Sequence, residues 1–336
     1  MKLIQTLAAS FLAMSLAACG GGGGSPGATN GGGNGNNGGS QTPGGSTKNV
    51  LFVGDSGNHG LASFTTLSPA AGSNVAANVL GTGSLAVWYG IALDTKNDRL
   101  YAATGQQIAV FDKASSLNGT IAPTRMLNPV IKTGVSQLYG MVYDKTNDRL
   151  YIGYSSGLSY SLAVFEAFSS LSGSISPTRY INNLPSDNFA IDTKRAVLYV
   201  GNPATAAPAI YTYAGVDKIN GTLPAVNPSS LVVPGSRIAG LAVDELHDRL
   251  YLGVPGTGVA FIDNADAGGS KPTIVGLANS ATSAGLAFDS SNDRLYAGLD
   301  NTVFVLSNAS QLNAGNNNSA IMVAAPAGSK ITTFAF

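Results

Sequence analysis

The residues of this sequence make a catalytic set of nucleophile and general base hard to build. Ser56 and His59 stand together in Gly54-Asp-Ser-Gly-Asn-His59. In hydrolases with a serine nucleophile, the serine, its base and the orienting acid come from distant parts of the sequence and meet only in the fold. The contiguity of Ser56 and His59 therefore argues against this chemistry. We interpret His59 as a structural loop residue and His247 as part of a tight turn.

A second candidate chemistry is the binding of a hard cation by oxygen ligands. The chain has two histidines and one cysteine, too few nitrogen and sulfur ligands for a zinc or copper site. Carboxylate and amide oxygens suit Ca²⁺, and Arg237 and Lys330 are expected nearby, where they would oppose a cation. The sequence therefore predicts no cofactor, with calcium as the alternative, held by Asp55, Asp187, Asn188 and Asp300.

One stretch of the chain recurs and defines the elements that must position these residues. Asp94-Thr-Lys-Asn-Asp-Arg-Leu-Tyr101 returns in altered form at 144–151, 192–199, 244–251 and 289–296, and in truncated form as Asn49-Val-Leu-Phe52. Alternating apolar residues precede and follow it, as in Gly90-Ile-Ala-Leu-Asp94 and Leu100-Tyr-Ala-Ala-Thr104. Such alternation predicts two strands joined by a tight turn.

The residue types of the repeat suit a turn. The leading aspartate can accept hydrogen bonds from amides two or three residues ahead, and the Asn-Asp pair tolerates positive φ. Each repeated arginine is expected to pair with a nearby aspartate or turn carbonyl: Arg99, Arg149, Arg249 and Arg294. Because a ligand site seldom recurs around a ring, we interpret the repeat as structural.

The spacing of the repeat predicts the architecture. The leucine before the aromatic residue stands at Leu51, Leu100, Leu150, Leu198, Leu250 and Leu295, in steps of 49, 50, 48, 52 and 45 residues. Such a period is typical of propeller blades, and each period holds about four strand-like runs. The sequence therefore predicts an all-β fold, a six-bladed β-propeller of four-stranded antiparallel blades. Gly and Ala in the innermost strands are expected to let these strands approach closely.

The two ends of the repeated region complement each other. The first copy opens on a second strand at Asn49, with no inner strand before it. The last residues, Ile331-Thr-Thr-Phe-Ala-Phe336, match an inner strand, and Ala335 aligns with Ala287. We therefore predict that the C-terminal strand closes the ring and removes an open edge.

The repeat also predicts that the two ends of the ring differ. The Asp-to-Arg turns and the Asn-Gly turns are expected at one end, here called the turn face. The other connections are expected at the opposite end, here called the mouth face, where the copies diverge. A single asymmetric site requires such divergence, and drift in unconstrained loops also produces it. The ligand-binding candidates at the mouth face are Asp55, His59, Trp88, Tyr89, Gln137, Tyr139, Asp187, Asn188, Arg237, Asp300 and Lys330.

The amino terminus has the pattern of a processing segment. Lys2 precedes an apolar run that stops at Leu16-Ala-Ala-Cys19 and is too short to span a bilayer. This ending resembles the bacterial lipobox, and the chain's single cysteine occupies the lipidated position. The resemblance implies a signal peptide at 1–18 and an acylated Cys19 bearing palmitate-type chains, and Gly20 in place of aspartate implies the outer membrane. The alternative is an ordinary secretory signal with a chance cysteine.

Residues 19–48 are nearly all Gly, Asn, Ser, Thr and Pro, a composition that predicts a flexible tether. Residues 49–336 are then one propeller domain. Within it, Leu51-Phe-Val-Gly-Asp-Ser-Gly-Asn-His-Gly-Leu61 resembles the repeat of NHL propellers. The later copies are similar to the wider NHL, YncE-like and gluconolactonase-like group. Gluconolactonase-like propellers place a Glu/Asp/Asn set around the axis, and this sequence has no matching glutamate there.

Charge and composition narrow the function. Charged residues make up 11% of the chain and the formal net charge is zero, which argues against a nucleic-acid partner. We expect a lipid-anchored scaffold in the cell envelope that binds a protein or a glycan, without enzymatic activity, at the outer membrane and facing the periplasm or the exterior. The alternative is a calcium-assisted lactonase or lyase with its site at the mouth face.

Overall fold

The computed structural model describes residues 50–57, 60–65, 77–83, 85–87, 90–132, 134–201, 209–224, 237–269, 271–276, 285–314, 321–325 and 329–336. Its first strands are β1 (Leu51–Asp55), β2 (Gly60–Phe64), β3 (Asn78–Leu80), β4 (Ile91–Asp94), β5 (Arg99–Thr104), β6 (Gln107–Asp112), β7 (Arg125–Pro129), β8 (Gln137–Asp144), β9 (Arg149–Ser156), β10 (Ser159–Phe165), β11 (Gly173–Ile175) and β12 (Arg179–Leu184).

The remaining strands are β13 (Phe189–Asp192), β14 (Val197–Gly201), β15 (Ile210–Ala214), β16 (Gly221–Thr222), β17 (Gly240–Asp244), β18 (Arg249–Val254), β19 (Gly258–Asp263), β20 (Thr273–Ile274), β21 (Gly285–Asp289), β22 (Arg294–Leu299), β23 (Thr302–Ser307), β24 (Ile321–Ala324) and β25 (Ile331–Ala335). Three short 3₁₀ helices lie at Ala114–Ser116, Phe168–Ser170 and Ala309–Gln311.

The described strands form six sheets, and each sheet is one blade. The antiparallel orders are β25-β1-β2-β3, β4-β5-β6-β7, β8-β9-β10-β12, β13-β14-β15, β17-β18-β19-β20 and β21-β22-β23-β24, for blades 1 to 6. The all-β, six-bladed propeller predicted from the spacing is confirmed. Every sheet lies within residues 50–336, so this part of the chain contains a complete ring.

Two blades carry a fifth strand that the sequence did not predict. β11 pairs in parallel with β7, and β16 pairs in parallel with β12. Each added strand begins at a glycine in the connection after the third strand of the following blade. These glycines, Gly173 and Gly221, have φ of 63° and 108°. Glycine adopts this backbone readily, and the redirected chain pairs with the outer edge of the preceding blade. Blades in the described part of the chain therefore have three to five strands instead of a uniform four.

The C-terminal strand closes the ring, as predicted. β25 pairs antiparallel with β1, and Ala335 stands opposite Phe52. In blade 6, Ala287 stands opposite Tyr296 in the same way. The predicted alignment of Ala335 with Ala287 is therefore confirmed, and blade 1 takes its strands from both ends of the domain.

The core lies between the blades. The buried apolar side chains of the described residues form six clusters, one at each junction of neighbouring blades. Successive side chains of a strand point to opposite faces, so Leu100 packs toward blade 1 and Tyr101 toward blade 3. The Leu-aromatic pair of each repeat thus joins its blade to both neighbours.

Small residues let the inner strands crowd around the axis, as predicted. A Cβ at Gly285 would lie 2.6 Å from the carbonyl oxygen of Thr332 in β25. A Cβ at Gly240 would lie 3.2 Å from the backbone nitrogen of Leu286 in β21. Backbone atoms cannot yield as a flexible side chain can, so glycine is required for this approach.

Candidate functional site

The leading aspartates of the repeat are buried and hold the turns together. Asp94 has no exposed surface, and its Oδ1 accepts hydrogen bonds from the backbone nitrogens of Lys96 and Asn97, both at 3.1 Å. Its Oδ2 accepts a hydrogen bond of 2.7 Å from the Asn97 side chain. His247 takes the asparagine position in blade 5, with Nδ1 2.7 Å from Oδ2 of Asp244. These carboxylates are engaged inside the turns.

The second aspartate of the repeat joins the two connections of the turn face. Asp98 has positive φ, and its carboxylate accepts hydrogen bonds of 2.8 Å from both the backbone nitrogen and the hydroxyl of Ser115. Asp148 with Ser169 and Asp293 with Ser310 make the same pair of contacts. Sequence reasoning missed these serines, although they recur in Ala-Ser-Ser-Leu117, Phe-Ser-Ser-Leu171 and Ala-Ser-Gln-Leu312.

Arg99 and Arg249 pair with aspartates, as predicted, and also bridge neighbouring blades, whereas Arg149 pairs with Glu166 and Arg294 takes part in none of the ion pairs of the described residues. Arg99 donates to Asp112 at 2.7 Å and to the carbonyl of Ser169 in the next blade at 2.8 Å. Arg249 donates to Asp263 at 2.6 Å and to the carbonyl of Ala309 in the next blade at 3.3 Å. The turn face is therefore a continuous structural network.

Blade 5 is the exception in this network. Asp266 stands where blades 2, 3 and 6 have serine, and its backbone nitrogen donates to Asp248 at 3.2 Å. Burial, followed by the hydrogen bond to Asp266 and its negative charge, raises the pKa of Asp248 from 3.8 to about 6. Arg195 of blade 4 lies 3.5 Å from Asp266 and partly offsets this repulsion. At neutral pH two carboxylates therefore face each other in this blade.

We expect Asp266→Ser to stabilise the protein at pH 7 by about 1 kcal/mol, because serine restores the donor pair of blades 2, 3 and 6. The raised folded-state pKa of Asp248 means that the folded protein binds this proton more tightly than the unfolded chain. The free energy of unfolding should therefore fall as the pH rises from 3.8 through about 6. Urea denaturation at pH 5 and pH 7.5 measures the free energy of unfolding of the wild type and of Asp266→Ser. The increase caused by Asp266→Ser should be larger at pH 7.5. An equal gain at both values would contradict the carboxyl pair.

The mouth face holds the predicted ligand-binding residues in different environments. Asp187, Arg237, Asp300 and Lys330 are exposed, and Gln137 and Asn188 are partly exposed. His59, Trp88, Tyr89 and Cys19 lie outside the described residues. The four exposed side chains are charged, and Arg237 and Lys330 occupy the same position of the repeat in blades 5 and 1.

Two candidates are buried instead of open at the mouth. Asp55 is 6% exposed, and its Oδ1 accepts hydrogen bonds from the backbone nitrogens of Gly57 at 2.9 Å and Lys330 at 2.7 Å. Asp55 therefore ties the closing strand to blade 1. Tyr139 is 7% exposed and covers Gly153, where a Cβ would clash with the tyrosine ring.

Asn188 joins blades 4 and 5. Its side-chain nitrogen donates to the carbonyl of Ile238 at 3.1 Å, and its backbone nitrogen donates to Ser186 Oγ at 3.0 Å. Ser186 in turn donates to the carbonyl of Gly201 at 2.5 Å. These contacts fix the loop before β13 and the residue beside it, Asp187.

A cavity of about 390 Å³ runs between the inner strands β8, β13, β17, β21 and β25. Of the predicted site residues it brings together Tyr139, Asp187 and Asn188, and its remaining lining is mostly apolar. Asp55 and Asp300 of the predicted calcium set lie outside this lining. Sequence reasoning missed Phe189, Leu286 and Phe334 as lining residues, because their positions are apolar in every copy of the inner strand.

Two features of the described residues bear on chemistry. They contain no group of three or more His, Cys, Asp or Glu side chains arranged to hold a metal ion. None of their helices is long and apolar enough to cross a membrane. Of the predicted site residues that the structure describes, Asp187 is the one acidic residue at the cavity.

Comparison with known proteins identifies the fold. A chain in "Crystal structure of Nidogen/Laminin Complex" is similar at 12% identity, with a TM-score of 0.57, over 85% of this chain and 97% of that chain. The WD40 β-propeller domain of Doa1 matches at 12% identity and a TM-score of 0.49, over 84% of this chain and 82% of that chain. No protein-family model and no curated protein sequence matches the chain.

Proposed function

We propose that this protein is a lipid-anchored scaffold of the cell envelope, of NHL or YncE-like type, that binds a protein or a glycan at its mouth face. One observation carries the proposal. The carboxylates and arginines of the turn face form hydrogen bonds within the domain. The mouth face instead exposes the charged side chains of Asp187, Arg237, Asp300 and Lys330, of which Arg237 and Lys330 occupy the same position of the repeat in blades 5 and 1.

The anchor is proposed from the sequence around Cys19. Leu16-Ala-Ala-Cys19 has the pattern of a lipobox, and the chain's single cysteine stands at the position that would be lipidated. The Gly- and Asn-rich composition of residues 20–48 suits a tether between such an anchor and the propeller.

The fold is compatible with a role in protein assembly. The similar chain described above comes from a complex of nidogen and laminin, so a propeller of this shape occurs within a protein complex. Propellers also serve many unrelated functions, and the proposal therefore depends on the mouth-face residues of this chain.

A charge-removal experiment tests the proposed face. We expect Arg237→Ala, Asp300→Ala and Lys330→Ala together to lower capture of an envelope protein or glycan by about tenfold or more. Lys113→Ala, Lys145→Ala and Lys194→Ala, three exposed lysines of the turn face, should leave capture unchanged. In the same cells, Cys19→Ala should release the protein from the membrane fraction. Equal capture by both triple variants would refute the mouth face as the binding surface.

A further inference from the structure

The wall of the cavity between blades 3 and 4 has a specific composition. Asp187 and Phe189 come from blade 4, and Tyr139 and Gly140 come from blade 3. A Cβ at Gly140 would lie 2.9 Å from Cε1 of Phe189, so the absent side chain leaves room for the phenyl ring. The rings of Phe189 and Tyr139 meet edge to face, with centroids 6.5 Å apart. Aromatic surface therefore lies beside Asp187, the one acidic residue among the described residues of the lining.

The electrostatics of this wall are negative. None of the described residues that line the cavity is Lys, Arg or His. Asp187 takes part in none of the ion pairs recorded among the described residues. Burial, followed by the charge of Asp187, raises the pKa of Tyr139. Among the described residues of the lining, Asp187 is therefore the one side chain of an acidic or basic residue.

The size and lining suit a small organic group. A volume of about 390 Å³ falls in the range of roughly 300–1,000 Å³ typical of small-molecule sites. Aromatic faces attract cations through their quadrupole, and a carboxylate forms strong charge-assisted hydrogen bonds with ammonium and guanidinium groups. Leu241, Leu286 and Phe334 offer apolar contact deeper in the cavity.

We propose that the axial cavity binds an organic cation, an ammonium or guanidinium group carried on a short apolar chain, with Asp187 as its counter-ion and Phe189, packed against the buried Tyr139, as its aromatic wall. This inference rests on the proposed function, because it takes the mouth face as the binding face. The cation comes either from a free amine or from a lysine or arginine side chain of a bound protein, and both sources share the same chemistry.

Calorimetric titration of residues 20–336 tests the proposal. 2-Phenylethylamine should bind, whereas its neutral and anionic relatives 2-phenylethanol and phenylacetate should not. Acetylated and amidated peptides with one central lysine or arginine form the second arm. If the peptides bind and 2-phenylethylamine does not, the cation belongs to a partner protein. If 2-phenylethylamine binds and the peptides do not, the cation belongs to a small molecule.

Matched variants locate the cation. Asp187→Asn should weaken binding of 2-phenylethylamine or the peptide by about 10- to 100-fold, the range for a hydrogen bond to a charged group. Asp217→Asn removes a partly exposed carboxylate of the turn face, outside the cavity lining, and should leave binding unchanged. Three results would each overturn the proposal. Asp187→Asn binds as tightly as the wild type, phenylacetate binds as tightly as 2-phenylethylamine, or neither 2-phenylethylamine nor the peptides bind. Partner capture by the charge-removal variants is measured separately, so failure here leaves the scaffold result intact.

Discussion

Deletion of residues 330–336 is expected to prevent formation of a stable ring. β25 is the inner strand of blade 1, and Ile331, Phe334 and Ala335 are 1%, 8% and 6% exposed. Loss of two large buried side chains removes about 3–6 kcal/mol of hydrophobic stabilisation, and the ladder with β1 is lost as well. Because domains are stable by only about 5–15 kcal/mol, the shortened chain should lose its cooperative thermal unfolding transition.

A milder pair of variants keeps this prediction measurable if the shortened chain is insoluble. Phe334→Ala should lower the free energy of unfolding by about 3 kcal/mol, since a buried phenylalanine leaves a cavity. Lys330→Ala changes an exposed side chain and retains the backbone nitrogen that donates to Asp55, so it should stay within about 0.5 kcal/mol of the wild type. Urea denaturation compares them. A shortened chain that melts like the wild type would contradict closure by β25.

Asp94→Ala should destabilise the protein by about 3 kcal/mol, because its fully buried carboxylate accepts several hydrogen bonds at once. The backbone nitrogens of Lys96 and Asn97 and the Asn97 side chain lose their acceptor. The buried hydroxyl of Tyr101, 3.4 Å from Oδ2, loses one as well. The loss therefore affects both the turn and the strand that follows it.

Asp300→Ala is the control for Asp94→Ala, because Asp300 is an exposed aspartate in a tight turn of the mouth face. It should change the free energy of unfolding by less than about 0.5 kcal/mol. Asp94→Asn should fall between the two, since it keeps an acceptor for the backbone nitrogens and brings an amide against Asn97. Similar stability for Asp94→Ala and Asp300→Ala in urea denaturation would show that the repeat does not stabilise its turns.

Much of the fold could be predicted because a propeller is a repeated local pattern. The step between Leu51 and Leu100 and its later equivalents counts the blades, and the missing inner strand at Asn49 pairs with the surplus strand ending at Phe336. The parallel strands β11 and β16 were not predicted, because pairing between blades depends on the path of a connection and leaves no periodic pattern.

The site could be predicted only in outline. Asp187 was selected because the copies diverge there, and it does line the cavity. Tyr139 was selected by the same reasoning, yet its ring turns into the blade over Gly153. A difference between the copies shows that the repeat does not constrain the residue at that position. It does not show in which direction the side chain points. His59, Trp88 and Tyr89 stay predictions.

The amino-acid sequence by itself determined the repeat, the number of blades, the closure by residues 331–336 and the structural role of the Asp-to-Arg turns. These follow from alternation, turn chemistry and spacing, which are local along the chain. Only the tertiary structure decided that serine hydroxyls join the turn-face connections, that Asp55 serves closure, and that Asp187 stands beside aromatic rings at a cavity. These depend on which strands meet across the ring, where residues far apart in sequence share one space.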